Sequence, residues 1–458
     1  MTKFLDQLKA VVGDGGWTTD KDELQPRLTE WRGVVEGATD IALFPSSTQE
    51  VSKIVQLCAS NNVGIVPQGG NTGMCAGAVP DDSGEQVLLC LEKMNSILDV
   101  DADNFSIEVE AGCILANIQD AAKNVNRFFA LSLSAEGSCQ IGGNLSTNAG
   151  GVNVVRYGTA RAQVLGIEAV LADGSIVNSM RALRKDTAGY DLKQLFIGSE
   201  GTLGIITAAT LKLHPTPEQI ATALVALDSP ADAVKLLARL RSDLSDRVEA
   251  FELISDVVMQ LIQKHIPDTT VPMSTRSKWF VLMDAAIGSD VLVLEEALHS
   301  ALDAGLIRDA VLAKNEAEAQ HLWRIRHSTA EAERAEGKAL KHDISVPVSK
   351  LAEFLERGDV LLKTIAPEAL LMAFGHVGDG NLHYNVSLPA GFEDPLRVSA
   401  AIYELVGQFG GSFSAEHGVG SVKREYLARY RSAEELALMR TLKVAMDPKN
   451  IMNPGKVI

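Results

Sequence analysis

Short apolar runs cut by glycine, proline and small polar residues fill the first part of the chain, and helical apolar spacing fills the middle. Ile41-Ala42-Leu43-Phe44 predicts a strand that Pro45 ends. Ser47-x-x-Glu50 then predicts a capping box opening a helix, with Val51, Ile54, Val55 and Cys58 on one face. Gly64-Ile65-Val66-Pro67 predicts the next strand, a βαβ-like start. Further strands are expected at 86–91 and at 106–110, where Ile107 and Val109 alternate with polar residues. Residues 164–171 and 175–177 flank Ala172-Asp173-Gly174 as a hairpin, and a strand is expected over 208–214. Past Pro215-Thr216-Pro217 glycine becomes sparse, and the apolar spacing predicts helices at 230–244, 291–304 and 315–333. The composition change marks a domain boundary.

Three loops interrupt this pattern. They are Pro67-Gln68-Gly69-Gly70-Asn71-Thr72-Gly73-Met74, the tract 135–158, and Gly198-Ser199-Glu200-Gly201-Thr202-Leu203-Gly204. Glycines let backbone N–H groups close around an anion, so three such loops point to a large nucleotide cofactor. Neither a P-loop nor a G-x-G-x-x-G followed by a helix accounts for them. Later, Gly375-His376-Val377-Gly378-Asp379-Gly380-Asn381-Leu382-His383 sets two histidines around a Gly-rich turn, and Ser414-Ala415-Glu416-His417-Gly418 follows. Two imidazoles and a carboxylate, His376, His383 and Glu416, suit Zn²⁺ or another borderline divalent ion with a position left open. His417 then stands beside that set as a proton acceptor.

A net charge of −17 argues against nucleic acid as a partner, and any anionic substrate must be met by a few placed cations. The five cysteines all lie in the first third without a C-x-x-C pair, the pattern of buried thiols in a cytosolic protein. The start carries acids early and lacks the ~7–15-residue apolar core of a secretory signal. No uninterrupted apolar run reaches the ~18 residues of a membrane span. A cytoplasmic protein is expected.

The three loops, Gly142-Gly143-Asn144-Leu145-Ser146-Thr147-Asn148-Ala149-Gly150-Gly151 within the second, the His376–His383 segment and Asn453-Pro454-Gly455 come in an order that resembles the vanillyl-alcohol-oxidase-type flavoproteins, and within them the D-2-hydroxyacid dehydrogenases. The likeness covers essentially the whole chain. It implies an α+β fold: a PCMH-type FAD-binding domain of two α/β subdomains, from 1–213 and a returning segment 415–458. A substrate-binding cap with an antiparallel sheet and helices would occupy 214–414. It implies that FAD is held by Pro67, Gln68, Gly69, Gly70, Asn71, Thr72, Gly73 and Met74, and by Glu136, Gly137, Ser138, Gly142, Gly143, Ser146, Thr147, Asn148, Gly150 and Gly151. Glu200, Gly201, Gly204, Ile206 and Asn453 would line the rest. No histidine precedes His214, so noncovalent FAD is expected.

Oxidising a 2-hydroxyacid needs a base for the hydroxyl proton and a hydride acceptor, and the resemblance assigns these to His417 and FAD. It further implies that Asn385 orients the substrate while Arg326 and Lys341 pair its carboxylates, Arg326 through its planar fork. Members of the family specific for glutarate carry a hydroxyl residue four positions after this arginine. Here that position is Ala330, and Thr329 is the nearest substitute. Two cations favour D-2-hydroxyglutarate over D-lactate, with D-malate, direct use of oxygen, a redox-silent flavin-binding subunit and a metallohydrolase as rivals. Without a nicotinamide fingerprint or iron–sulfur cysteines, electrons are expected to leave to an electron-transfer flavoprotein or a quinone. A homodimer is compatible with the resemblance.

Overall fold

The computed structural model describes residues 2–288 and 292–458. These form two units: Met1–Gly150 with Thr159–Thr216 and Glu416–Ile458, and Gly151–Gly158 with Pro217–Ala415.

The first unit holds two larger sheets and a two-stranded pairing of Arg127–Phe128 with His214–Pro215. Strands β1 (Trp17–Thr18), β2 (Ala42–Leu43), β3 (Ile65–Gln68) and β4 (Val87–Cys90) lie in the order β1-β2-β4-β3, with β2 and β3 each parallel to β4. The βαβ-like start therefore closes with β4 inserted between its two strands. Its helix, Thr48–Asn61, begins where the Ser47 side chain accepts from the Glu50 N–H and ends on Asn62 in a left-handed conformation. The Glu50 carboxylate accepts from the Ser46 N–H at 2.7 Å instead of the Ser47 N–H, so only half of the expected capping box forms.

The second sheet is antiparallel. It contains β5 (Ile97–Asp101), β6 (Ser106–Glu110), β7 (Val164–Val170), β8 (Ile176–Asn178) and β9 (Ile205–Lys212) in the order β5-β6-β9-β7-β8. As the alternation on β6 requires, Ile107 and Val109 are fully buried. Strand β9 starts at Ile205 rather than at 208, because Ile205, Ile206 and Thr207 are all buried and extend the ladder into the third glycine-rich passage. The tract 135–158 is more regular than its composition implies, with helices at Ile141–Thr147 and Val154–Tyr157.

The second unit is built on an eight-stranded antiparallel sheet: β10 (Ile220–Leu227), β11 (Val248–Ser255), β12 (Trp279–Ala286), β13 (Asp309–Leu312), β14 (Ala339–Leu340), β15 (Asp343–Ser345), β16 (Leu370–His376) and β17 (Asn381–Ser387). The order is β13-β10-β12-β11-β16-β17-β14, and β15 also pairs with β17. Helices run at Pro230–Asp243, Val293–Asp303 and Leu351–Ile365. The helix expected over 291–304 is thus observed from Val293; Val291 lies outside the described residues. The one expected over 315–333 is two helices, Glu316–His327 and Thr329–Glu336, meeting at Ser328. Leu224, Ile254, Phe280 and Phe374 of the sheet share one core with Leu322 and Ala332 of these last two helices.

All five cysteines are buried and reduced, and burial pushes the Cys58 and Cys90 thiols up to about 12. Among the described residues no helix is long and apolar enough to cross a membrane.

Candidate active site

In the first unit the loop following β3 and the helix Ile141–Thr147 wall a cavity. Pro67, Gln68, Gly69, Gly70, Asn71, Thr72, Gly73, Gly142, Gly143, Ser146, Thr147, Glu200, Gly201, Ile206 and His417 all line it. The glycines are there for want of room on one side. A Cβ at Gly70 would stand 2.1 Å from the Ser138 carbonyl oxygen, and one at Gly142 2.7 Å from the Ala111 Cβ. Gly73 and Gly143 instead meet no atom within 4 Å, so at these two positions backbone faces open space. Gln140 also lines the cavity, and its buried Oε1 has no hydrogen-bond partner among the described residues. A buried acceptor left open beside bare backbone fits a polar cofactor that brings its own donors. The sequence reading missed Gln140 because a single glutamine carries no local signal.

Other residues assigned to the cofactor by resemblance are placed differently. Asn148 caps the helix at φ 53° and its Oδ1 accepts from the Arg161 N–H at 2.9 Å. The Ser138 hydroxyl donates to the Ala135 carbonyl, and Glu136 accepts from Gln119. Gly204 packs on the Phe196 ring, which a Cβ would strike. Met74, Gly137 and Gly150 are not among the residues lining the cavity, and Gly151 belongs to the second unit.

Two assignments become braces. The Asn453 amide donates to the carbonyls of Gly77 and Glu200 at 2.8 and 2.7 Å. The Glu200 carboxylate accepts from the Val419 and Gly420 N–H groups at 2.7 and 2.8 Å, which fixes the loop carrying His417. Burial pushes the Glu200 carboxyl up, and those N–H groups pull against it. His417 Nε2 lies 3.9 Å from Glu416 Oε1.

In the second unit, antiparallel register puts Glu252 of β11 opposite His376 of β16. Glu252 has no exposed surface, and its Oε1 is hydrogen-bonded to His376 Nδ1. Its Oε2 accepts from Arg326 Nε at 2.8 Å and Nη2 at 2.7 Å. Burial alone would push the Glu252 carboxyl up, but the facing His376 and Arg326 outweigh it and hold the carboxyl at about 2. The His376 and His383 ring centroids are 5.7 Å apart, so the Gly-Asp-Gly-Asn turn does bring the two histidines together. Asp343 lies opposite His383 in the sheet, and its Oδ2 accepts from the N–H of Ala415, the residue before Glu416. The ligand atoms of His383 and Asp343 lie within 4.8 Å of one another and are donors that suit a borderline divalent ion; His376, outside that group, has its Nδ1 engaged by Glu252 and would donate through Nε2.

The remaining residues assigned to the substrate have partners within the chain. Both Glu333 oxygens accept from Asn385 Nδ2, at 3.0 and 3.1 Å, and Lys341 forms an ion pair with Oε2. Asn385 is buried, its Oδ1 accepts from the His342 N–H, and its amide holds Glu333. The Thr329 hydroxyl donates to the Arg326 carbonyl at 2.7 Å with the residue 1% exposed, so it cannot replace the hydroxyl missing at Ala330. Glu252, Glu333 and Asp343 escaped the sequence reading. Only Glu252 left a trace, as a lone acid inside the apolar run Ala250-Phe251-Glu252-Leu253-Ile254.

Residues 216–457 match the family described as FAD linked oxidases, C-terminal domain, and residues 39–179 match the FAD binding domain. The chain belongs to the FAD-linked oxidase family. FAD is its cofactor, as the resemblance implied. The mitochondrial D-2-hydroxyglutarate dehydrogenase of Arabidopsis thaliana is 37% identical over 463 residues, covering 100% of this chain and 82% of that protein. The mitochondrial enzyme of that name in Danio rerio is 38% identical, covering 97% and 83%. The D-2-hydroxyglutarate dehydrogenase of Stutzerimonas stutzeri is 34% identical, covering 99% and 98%. Among solved structures, p-cresol methylhydroxylase aligns with a TM-score of 0.78 at 18% identity over 100% of this chain and 96% of that one. Alkyldihydroxyacetonephosphate synthase aligns with a TM-score of 0.74 at 19% identity over 99% and 84%. These two establish the α+β PCMH-type fold alone. The cytoplasmic expectation is corrected: the relatives in Arabidopsis thaliana and Danio rerio are named mitochondrial, which points to mitochondria, while the Stutzerimonas stutzeri name carries no compartment.

Proposed function

We propose that this chain oxidises D-2-hydroxyglutarate to 2-oxoglutarate, with 1–213 and 415–458 holding noncovalent FAD and 214–414 receiving the acid. The observation that supports this reading is the junction of Arg326, His376 and Glu252, which holds a guanidinium and an imidazole side by side on one buried carboxylate. The names of the relatives support the same substrate. When bound, FAD supplies the hydride acceptor, and a divalent ion on His376, His383 and Glu416, for which N/N/O donors favour Zn²⁺, supplies Lewis acidity. Arg326 grips a carboxylate with the donors Glu252 leaves to it. His417, lining the flavin cavity, takes the hydroxyl proton on a ring nitrogen, and Glu416 nearby stabilises the imidazolium. Reduced flavin passes its electrons to an electron-transfer flavoprotein or a quinone.

D-lactate is the second reading, favoured by one observation: Glu333 already neutralises Lys341, one of the two cations a second carboxylate would need. Anaerobic bleaching of the flavin by D- and L-2-hydroxyacids, before and after chelation with EDTA and readdition of Zn²⁺, tests both. Fastest bleaching by D-2-hydroxyglutarate, abolished by EDTA and restored by Zn²⁺, is expected. A faster D-lactate reaction would transfer the assignment to the second reading, and an EDTA-resistant reaction would remove the ion.

A further inference from the structure

Glu252 is fully buried, and the chemistry above uses it only as the neighbour of Arg326 and His376. Its two oxygens divide cleanly: Oε1 faces His376 Nδ1, while Oε2 takes Nε and Nη2 of Arg326. A carboxylate at Nδ1 keeps the proton there and leaves the lone pair on Nε2, which selects the tautomer and ring orientation of a metal ligand. Arg326 gains in the same way, because a guanidinium held edge-on by one carboxylate keeps its plane fixed for another. The grouping closes on itself. Arg326 lies 4.9 Å over the Phe374 ring, Phe374 is 4.8 Å from His383, and His383 is 5.7 Å from His376.

We propose that Glu252 is a positioning residue serving metal and substrate at once: it fixes His376 as an Nε2 donor and fixes the Arg326 fork that meets the substrate carboxylate. The inference rests on the reading above for those two partners and goes beyond it in making one carboxylate the link between them. A purely structural ion pair would place Glu252 opposite Arg326 alone. The register that sets it against His376 as well is what a shared support needs.

The FAD-loaded full chain tests this with Glu252→Gln, Arg326→Gln and the double variant. The readouts are the Zn²⁺ dissociation constant from chelator competition, the 2-oxoglutarate dissociation constant from perturbation of flavin absorbance, and thermal unfolding. Glu252→Gln is expected to weaken Zn²⁺ about 10–100-fold and, at saturating Zn²⁺, to weaken 2-oxoglutarate about tenfold. Arg326→Gln should weaken only the acid. If Glu252→Gln leaves an unpaired guanidinium that prevents folding, the double variant removes that charge and should fold while still losing Zn²⁺ affinity. A folded, flavin-loaded single or double variant binding Zn²⁺ within about twofold of wild type would overturn the proposal, as would a wild type that binds no Zn²⁺. If D-2-hydroxyglutarate fails to bleach the wild type while Zn²⁺ affinity still depends on Glu252, the substrate assignment falls and the metal-positioning role stands.

Discussion

At Gly70 the first unit leaves no room for a methyl group, with a Cβ standing 2.1 Å from the Ser138 oxygen, whereas at Glu252 the second unit buries a whole carboxylate and surrounds it with partners. The first builds its site by removing side chains until backbone itself is the surface. The second builds its site by burying charges that are acceptable only in pairs. The difference separates two kinds of vulnerability: the glycine cradle fails by steric addition, and the charged site fails by loss of a partner.

Gly70→Ala should do the most damage. It is expected to cut flavin stoichiometry at least tenfold and lower the unfolding temperature, read from the flavin-to-protein absorbance ratio and a thermal scan. Gly143→Ala sharpens the point, because it meets no atom within 4 Å: flavin should be lost with the apoprotein's unfolding temperature unchanged. Full flavin retention in Gly143→Ala would break the cradle side of the comparison. On the charged side, Arg326→Lys should raise the KM for D-2-hydroxyglutarate about 10–100-fold, since an ammonium cannot hold two carboxylates in one plane, with flavin stoichiometry unchanged.

Glu333→Gln should have a smaller effect in the opposite sense. Releasing Lys341 is expected to lower the KM for D-2-hydroxyglutarate relative to D-lactate about three- to tenfold, the scale of one charge-assisted contact, measured by steady-state kinetics on both acids. A higher ratio would mean that Glu333 orients Lys341 instead of competing for it.

The smallest effect is expected at Lys456. Burial lowers its pKa from 10.5 to about 8 against the attraction of Asp81 and Glu200. A base depressed in the folded state contributes stability that is present above its unfolded pKa and is lost as pH falls through about 8. Wild type should therefore gain a few degrees relative to Lys456→Met between about pH 7.5 and 9.5, read by differential scanning fluorimetry.

What was legible in the sequence was local. The glycine clusters located the cavity loops, Ser47 announced its helix, and the segment around Gly378 set two histidines about a turn that brings them together. What was not legible depends on partners far along the chain. Glu252 is 74 residues from Arg326 and 124 from His376, and only the strand register joins them. Glu333, which engages both Asn385 and Lys341, left no mark in the sequence. The placement of 151–158 in the second unit also had no local signal. There the helix Val154–Tyr157 carries Arg156 and Tyr157, which both bond Glu249.

Strand β3 has a further neighbour: Ile65 bridges Met452 in parallel, donating to Ile451 and accepting from Asn453. On the ribosome, the residues that cover this edge are made only after the whole of 217–415 has emerged. At ~5–20 residues per second the wait lasts roughly 20–80 s. Throughout it, a nascent chain displays a buried-type apolar strand with one row of backbone groups unmatched, the kind of edge that recruits other chains. Translation speed and chaperone capture should therefore affect the soluble yield of this protein.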